Sequence, residues 1–387
     1  MEERANRVAR AIFALLCVAA LLAAPSRGAA TQMQPLHALA RQIDCDYTEL
    51  LNSGALAPGD SVSDWVAIAT GCSGEPVRPG AYLQGLEAYV TEAYEKNGCL
   101  HRIKATEYHR IALTVLALGG DPTCVGRDGA GKPIDLIAQG TYNWCGTGEL
   151  GVQGLNALIF ALITLDAGNY EIPADARYTR QELLRQLLEA QTEAGAFGLT
   201  AGSEDVDLTA MALQALAPYR EDSAVADCVE RALNWLSARQ NSTGDFTSWG
   251  ASTSEGTAQV IIALCALGLD PATDPRFCKS GGSALDGLLR YQRPDGMFRH
   301  TMDGGADVMA TEQAALALIA VERLAAGKGR LYDLTNVAVY PEETPREQPS
   351  HFQILWLAPL PVLAAGAAFI IRKGKKKHVR NDGSDHS

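Results

Sequence analysis

Five apolar stretches of this chain align without gaps: YHRIALTVLAL, LNALIFALITL, TAMALQALAPY, TAQVIIALCAL and TEQAALALIAV, beginning at Tyr108, Leu155, Thr209, Thr257 and Thr311. They recur at roughly fifty-residue intervals, the mark of one structural unit repeated rather than of several unrelated domains. A weaker sixth unit lies upstream at Asp64 to Ala69. A second kind of pattern precedes the apolar stretches at Tyr82 to Tyr94, Thr179 to Gln191, Val225 to Gln240 and Ser283 to Gln292, with charged residues on one helical face and Leu, Ala and Tyr on the other. Each unit therefore reads as an amphipathic outer helix, a loop and an inner helix. Inner helices that are apolar nearly all round must be covered by neighbours. The pattern thus predicts an all-α fold over residues 31–330: an α/α toroid of about six helical hairpins, closed on itself. An open solenoid of the same hairpins is the alternative, since periodicity does not show closure.

The two ends carry a different pattern. Basic Arg4, Arg7 and Arg10 precede an apolar run from Ala11 to Ala24 that is too short to span a bilayer, so residues 1–30 read as a secretory signal peptide, cleaved after Ser26 or Ala30. Phe352 to Ile371 is uncharged and, at 1.5 Å per helical residue, long enough to cross about 30 Å of hydrocarbon. It reads as a transmembrane helix. The basic residues Arg372, Lys373, Lys375, Lys376 and Lys377 follow at once, which places a tail of residues 372–387 in the cytoplasm. The expectation is a single-pass cell-membrane protein whose N-terminal domain is extracytoplasmic, with residues 331–351 as a linker.

The formal net charge of −12 becomes more negative once these basic ends are set aside. Such a surface repels nucleic acid and anionic lipid, so no nucleic-acid partner is expected. Of nine cysteines, Cys17 falls in the signal peptide. Cys45, Cys72, Cys99, Cys124, Cys145, Cys228, Cys265 and Cys278 remain in a compartment that permits disulfides, with a pairing that sequence alone does not define. No Cys-x-x-Cys or tight Cys/His cluster occurs, so no metal site is expected.

At the join between outer and inner helix three units carry the same signature: Gln191, Gly195 and Phe197; Gln240, Gly244 and Phe246; Gln292, Gly296 and Phe298. Tyr94 to Leu100, with Gly98 in place, is a degenerate fourth copy. These residues read as structural: Gly permits a turn of positive φ, the aromatic ring plugs the gap to the next hairpin, and the Gln amide bonds free helix-end groups. The signature is similar to the Gln-x-x-x-Gly-x-Trp/Phe repeat of the squalene/hopene cyclase and protein prenyltransferase superfamily, over roughly residues 80–325. The resemblance implies a toroid around a central cavity, with the inter-helix loops and the N-termini of the inner helices at its mouth. The loops 197–209, 246–257 and 298–311 are then the candidate site.

Within the first of them, Asp205-Val206-Asp207-Leu208-Thr209-Ala210 is similar to the Asp-x-Asp-Asp-Thr-Ala acid motif of class II terpene cyclases, which protonates an alkene or epoxide. Asp205 and Asp207 match its first and middle Asp; Leu208 replaces the last. Asp at this place also suits the N-terminus of a helix, where a carboxylate meets unpaired N–H groups. Trp249, His300, Asp303 and Asp307 fall at comparable loop positions, and Tyr142 and Trp144 mark an earlier loop; all six are candidate ligand-binding residues.

Aromatic residues make up only 6% of the chain, which argues against the aromatic wall of a polyprenyl cyclase. A prenyltransferase would need zinc ligands that the chain lacks. Binding without chemistry needs only a pocket, a rigid scaffold and a tether. The expected function is therefore a membrane-anchored domain that binds a small hydrophobic ligand or a cell-surface partner protein. A terpene cyclase-like enzyme with a degenerate acid motif is the alternative. The barrel also resembles that of the animal cobalamin carriers, which leaves a corrinoid as the one cofactor to consider; none is otherwise evident.

Overall fold

A computed structural model describes residues 45–340. The signal-peptide, transmembrane and tail readings lie outside them. Among the described residues no helix is long and apolar enough to cross a membrane.

Residues 45–52 are helical, and eleven further α-helices follow. The inner helices are α1 (Ser61–Ser73), α3 (Ala105–Ala117), α5 (Asn156–Ala167), α7 (Val206–Leu216), α9 (Ser254–Ala266) and α11 (Val308–Ala325). Between them lie the outer helices α2 (Gly80–Asn97), α4 (Leu136–Gly140), α6 (Arg180–Glu189), α8 (Ser223–Arg239) and α10 (Ala284–Leu289). Each inner helix packs on the next, α1 on α3 through to α9 on α11, and α11 packs back on α1. The inner ring is closed, which excludes the open solenoid. The outer helices α6, α8 and α10 each lie against the inner helix that precedes them. The expected all-α architecture of six hairpins stands, with the addition of two short antiparallel ladders. One pairs β1 (Phe246–Ser248) with β2 (Ala251–Thr253); the other pairs β3 (Cys278–Lys279) with β4 (Gly282–Ser283).

The repeated signature explains the regularity. Phe197, Phe246 and Phe298 are fully buried. Their backbone N–H groups donate to the hydroxyls of Thr209, Thr257 and Thr311 at 2.9, 3.1 and 3.0 Å, which ties each outer-to-inner loop to its own inner helix. Gln191 and Gln240 donate from Nε2 both to the carbonyl of their own glycine and to the backbone of the next unit, at Cys228 and Phe277. The glycine is required at Gly244, where φ is +91° and a Cβ would lie 2.1 Å from the Ser283 carbonyl oxygen. The weak first unit is held differently. Buried Asp64 on α1 accepts from Arg110 Nε on α3 at 3.0 Å, from the Tyr82 hydroxyl at 2.7 Å and from the Gly59 N–H at 3.1 Å.

One end of the ring is closed by the chain itself. The segment 330–340, whose larger part was expected to be linker, packs across the C-terminal ends of the inner helices. Leu334 N–H donates to the Ala167 carbonyl at 3.0 Å and Tyr340 N–H to the Gly119 carbonyl at 2.9 Å. Arg323 fastens the segment by donating to the carbonyls of Cys72, Arg330 and Asp333. Leu331, Tyr332 and Leu334 are buried, so this stretch behaves as core. Above it Tyr332, Ile163, Gln214 and Ile262 line a cavity of only about 10 Å³, room for about one water. Higher in the lumen Trp65 of α1 meets Phe160 of α5 edge-on at 6.1 Å, across two helices that are not ring neighbours. Trp65 and Phe160 are both half-buried, and the mouth is formed by the N-termini of the inner helices.

Candidate active site

Repeat equivalence sets out the mouth. Asp205, Thr253 and Asp307 occupy the same position before α7, α9 and α11. Each caps its helix by accepting from the N–H three residues on, at Leu208 (2.8 Å), Gly256 (3.2 Å) and Ala310 (2.9 Å). Two residues further along stand Asp207, Glu255 and Met309. The residue two places after each buried Phe reaches back onto the preceding inner helix: Leu199 onto Leu155, Ser248 onto Asp207 and His300 onto Glu255.

The two Asp of the acid motif therefore divide their tasks. Asp205 is the cap, through Oδ1, and its Oδ2 accepts from the Ser248 hydroxyl at 3.1 Å. Asp207 caps nothing. Its Oδ2 accepts from the same Ser248 hydroxyl at 3.2 Å, and its Oδ1 is buried without a hydrogen-bond partner. Burial first, and the Asp205 charge second, push the Asp207 carboxyl from 3.8 up to about 7, against the smaller lowering effect of Ser248. At neutral pH this group carries its proton a large part of the time, which a surface aspartate does not.

Beside it His300 Nδ1 donates to both Glu255 oxygens, at 2.9 and 3.0 Å. The bond to Glu255 raises the imidazole's pKa, and the charges of Asp307 and Asp207 act in the same direction. Beneath this layer Gln214 Nε2 donates to Gln259 Oε1 at 2.8 Å, and Gln259 donates in turn to Gln313, an amide relay from α7 through α9 to α11. Glu312, next to the end of that relay, is 2% exposed, and its Oε2 has no hydrogen-bond partner. Burial pushes its carboxyl to about 9, so it is neutral at physiological pH.

Of the expected ligand-binding residues, His300 and Asp307 join this group. Trp249 stands one residue from Ser248 at the tip of the β1–β2 hairpin, 79% exposed, with φ +52°. Asp303 is exposed and accepts from the Thr301 hydroxyl at 2.9 Å. Tyr142 and Trp144 lie apart from this group. Both are buried, and Trp144 packs edge-on against Tyr108 at 5.6 Å, because their loop folds inward over α3. Three residues of the site were missed: Ser248, Glu255 and Glu312. Glu255 and Asp207 both stand two places before the repeat threonine, so aligning the repeats would have singled out Glu255. Nothing in the pattern marks Glu312, whose equivalents are Ala210 and Ala258. Among the described residues no group of three or more His, Cys, Asp or Glu side chains is arranged to hold a metal ion.

No protein-family model matches the chain. It is 35% identical over 132 residues to a drimenyl diphosphate synthase from Streptomyces showdoensis, covering 33% of this chain and 23% of that protein. It is 26% identical over 271 residues to a drimenyl diphosphate synthase from Streptantibioticus cattleyicolor, covering 63% of this chain and 48% of that protein. Among solved structures it is similar to a type II terpene cyclase from Scytonema, at a TM-score of 0.47 and 14% identity over 76% of this chain and 99% of that one. It is also similar to a protein geranylgeranyltransferase-I from Candida albicans, at a TM-score of 0.41 and 13% identity over 77% of this chain and 88% of that one. Both curated relatives bear the name drimenyl diphosphate synthase, and the chain spans about half their length or less.

Proposed function

We propose that this domain is a terpene cyclase-like enzyme that starts ring closure by protonating an isoprenoid, with Asp207 as the general acid. One observation carries the reading: the carboxyl at the middle position of the acid motif is free of any capping role, sits beside a second carboxylate, and is pushed up to about 7, so that a substantial fraction holds its proton at neutral pH. The relatives named drimenyl diphosphate synthase support the same chemistry. This favours catalysis over the binding role expected from sequence.

In such a step Asp207 gives its proton to one carbon of a terminal double bond, or to an epoxide oxygen. The carbocation left on the neighbouring carbon is attacked by the π electrons of the next double bond, which forms the new carbon–carbon bond. Loss of a proton from the cyclic cation ends the sequence, so product and substrate are isomers and no co-reactant is consumed. Ser248 would stabilise the Asp207 carboxylate after proton transfer, and solvent at the open mouth would restore its proton. The apolar Phe352–Ile371 stretch and the basic residues after it support a tethered enzyme outside the cytoplasm.

The test is incubation of the purified protein with linear isoprenoids, as free alcohols, terminal epoxides and diphosphates, followed by mass-resolved chromatography. The reading expects a cyclic isomer of equal mass that disappears in Asp207→Asn. Recovery of every substrate unchanged, with native mass spectrometry showing one of them bound, would return the domain to a binding role.

A further inference from the structure

Away from the Asp207 group, on the opposite arc of the mouth, two cysteine-bearing loops are fastened together. The connection before α3 carries Cys99, and the connection before α5 carries Cys145. Tyr108 sits between them. Its hydroxyl accepts from the Cys145 thiol at 3.1 Å and from the N–H of Leu100, the residue after Cys99, at 3.0 Å. A second clasp runs alongside, where Thr147 N–H donates to the Arg102 carbonyl at 2.7 Å. Burial raises the Cys145 pKa most, the hydrogen bond to Tyr108 works against it, and the Cys99 charge adds to the rise. Their accessibilities differ. Cys145 is exposed, whereas Cys99 is 9% exposed.

We propose that Cys99 and Cys145 are a disulfide pair, formed by exchange with an exogenous disulfide and locking the α2–α3 connection to the α4–α5 connection at the ring mouth. The chemistry balances with a small-molecule disulfide as the oxidant. The Cys145 thiolate, as the accessible one, attacks a sulfur of oxidised glutathione and expels one glutathione thiolate. The Cys99 thiolate then attacks Cys145 Sγ and expels the second, so two protein thiols are oxidised and one glutathione disulfide is reduced to two thiols. A crosslink here constrains a long stretch of chain in the unfolded state, which is the condition for a stabilising disulfide. It also fits the oxidising compartment to which a secretory signal would send the chain.

The experiment is peptide mapping by mass spectrometry, under non-reducing conditions, of the full-length protein after incubation with oxidised glutathione at mildly alkaline pH. The expected result is a crosslinked Cys99–Cys145 peptide pair, together with protection of both thiols from alkylation and a higher melting temperature that dithiothreitol reverses. In Cys99→Ser, Cys145 should instead accumulate as the stable mixed disulfide with glutathione. Alkylation of both cysteines in the oxidised wild-type protein, a persistent glutathione adduct on wild-type Cys145, or a crosslink from either residue to another cysteine would overturn the pair.

Discussion

Asp205 and Asp207 share one donor: the Ser248 hydroxyl lies 3.1 Å from Asp205 Oδ2 and 3.2 Å from Asp207 Oδ2. A single hydroxyl hydrogen serves one of them at a time, so the pair competes for it. Asp205 already accepts the Leu208 N–H and stays the anchored partner. Asp207 has no other donor, and its proton is therefore the one available for transfer.

The two carboxyls should separate cleanly on mutation. Asp207→Asn keeps shape and volume and should leave the melting temperature at neutral pH unchanged or raised, while turnover of a cyclised isoprenoid falls by roughly 10²–10⁴-fold, the usual weight of general-acid catalysis. Asp205→Ala removes a helix cap and should cost about 1 kcal/mol of stability. Calorimetry and product analysis on the two variants check this; a stability loss in Asp207→Asn equal to that in Asp205→Ala would show that Asp207 is structural.

The shared position in the fold also shows what was legible in the sequence. The inner helices were readable because covering an apolar helix on all sides leaves an unmistakable repeat, and the glycine signature located the loops between them. Helix α4, only five residues long, was not readable, because it is too short to show a period. Residues 331–340 looked like linker, since three buried apolar side chains on an irregular strap carry no periodicity. At the site, two carboxylates two residues apart both suit a helix N-terminus. Only the fold shows that one of them turns to the Leu208 N–H and the other only to the Ser248 hydroxyl.

Glu312 gives a prediction about pH. Its folded-state pKa, about 9, lies above the ordinary 4.5, so the folded state holds a proton that the unfolded chain has lost. Stability from this group is complete below about pH 4.5 and is lost progressively as pH rises toward 9. Glu312→Gln, which cannot ionise, should match the wild type at pH 4 and exceed it in melting temperature at pH 8–9. Parallel melting curves at the two ends suffice, and equal pH dependence of the two proteins would mean that the carboxyl is not held neutral.

Asp207 titrates in the same direction over a lower window. Activity that needs its protonated form should be flat on the acid side and fall as pH rises through about 7. Ser248→Ala removes the hydroxyl that favours the charged form and should move this fall to higher pH. A pH–rate profile for the two proteins measures the displacement, and an unmoved profile would remove Ser248 from the acid's environment.

The repeat signature predicts a ranking of damage. Gln240 donates two buried hydrogen bonds, to Gly244 and Phe277, so Gln240→Ala should cost roughly 1–3 kcal/mol. Gly244→Ala places a methyl 2.1 Å from the Ser283 carbonyl oxygen at a positive φ, and relief requires moving the β4–α10 junction. It should cost more than Gln240→Ala in chemical denaturation. The reverse order would mean that the glutamine clasp, rather than backbone approach, sets the spacing of the hairpins.

Trp249 is held against its own preference. The β1–β2 hairpin closes over Trp249 and Gly250 with φ of +52° and +83°, the two positive values of a type I′ turn, for which Asn-Gly is the favoured pair. A bulky residue there is strained, and a 79% exposed indole recovers little by burial in the free protein. Trp249→Asn should accordingly stabilise the fold by about 0.5–1 kcal/mol, since strained sites of this kind cost of order 1–3 kcal/mol. If the indole covers a bound isoprenoid beside Ser248, the same variant should raise KM for that substrate several-fold and leave the pH profile of Asp207 in place. Stability that rises while KM stays constant would confine the tryptophan's role to something other than substrate.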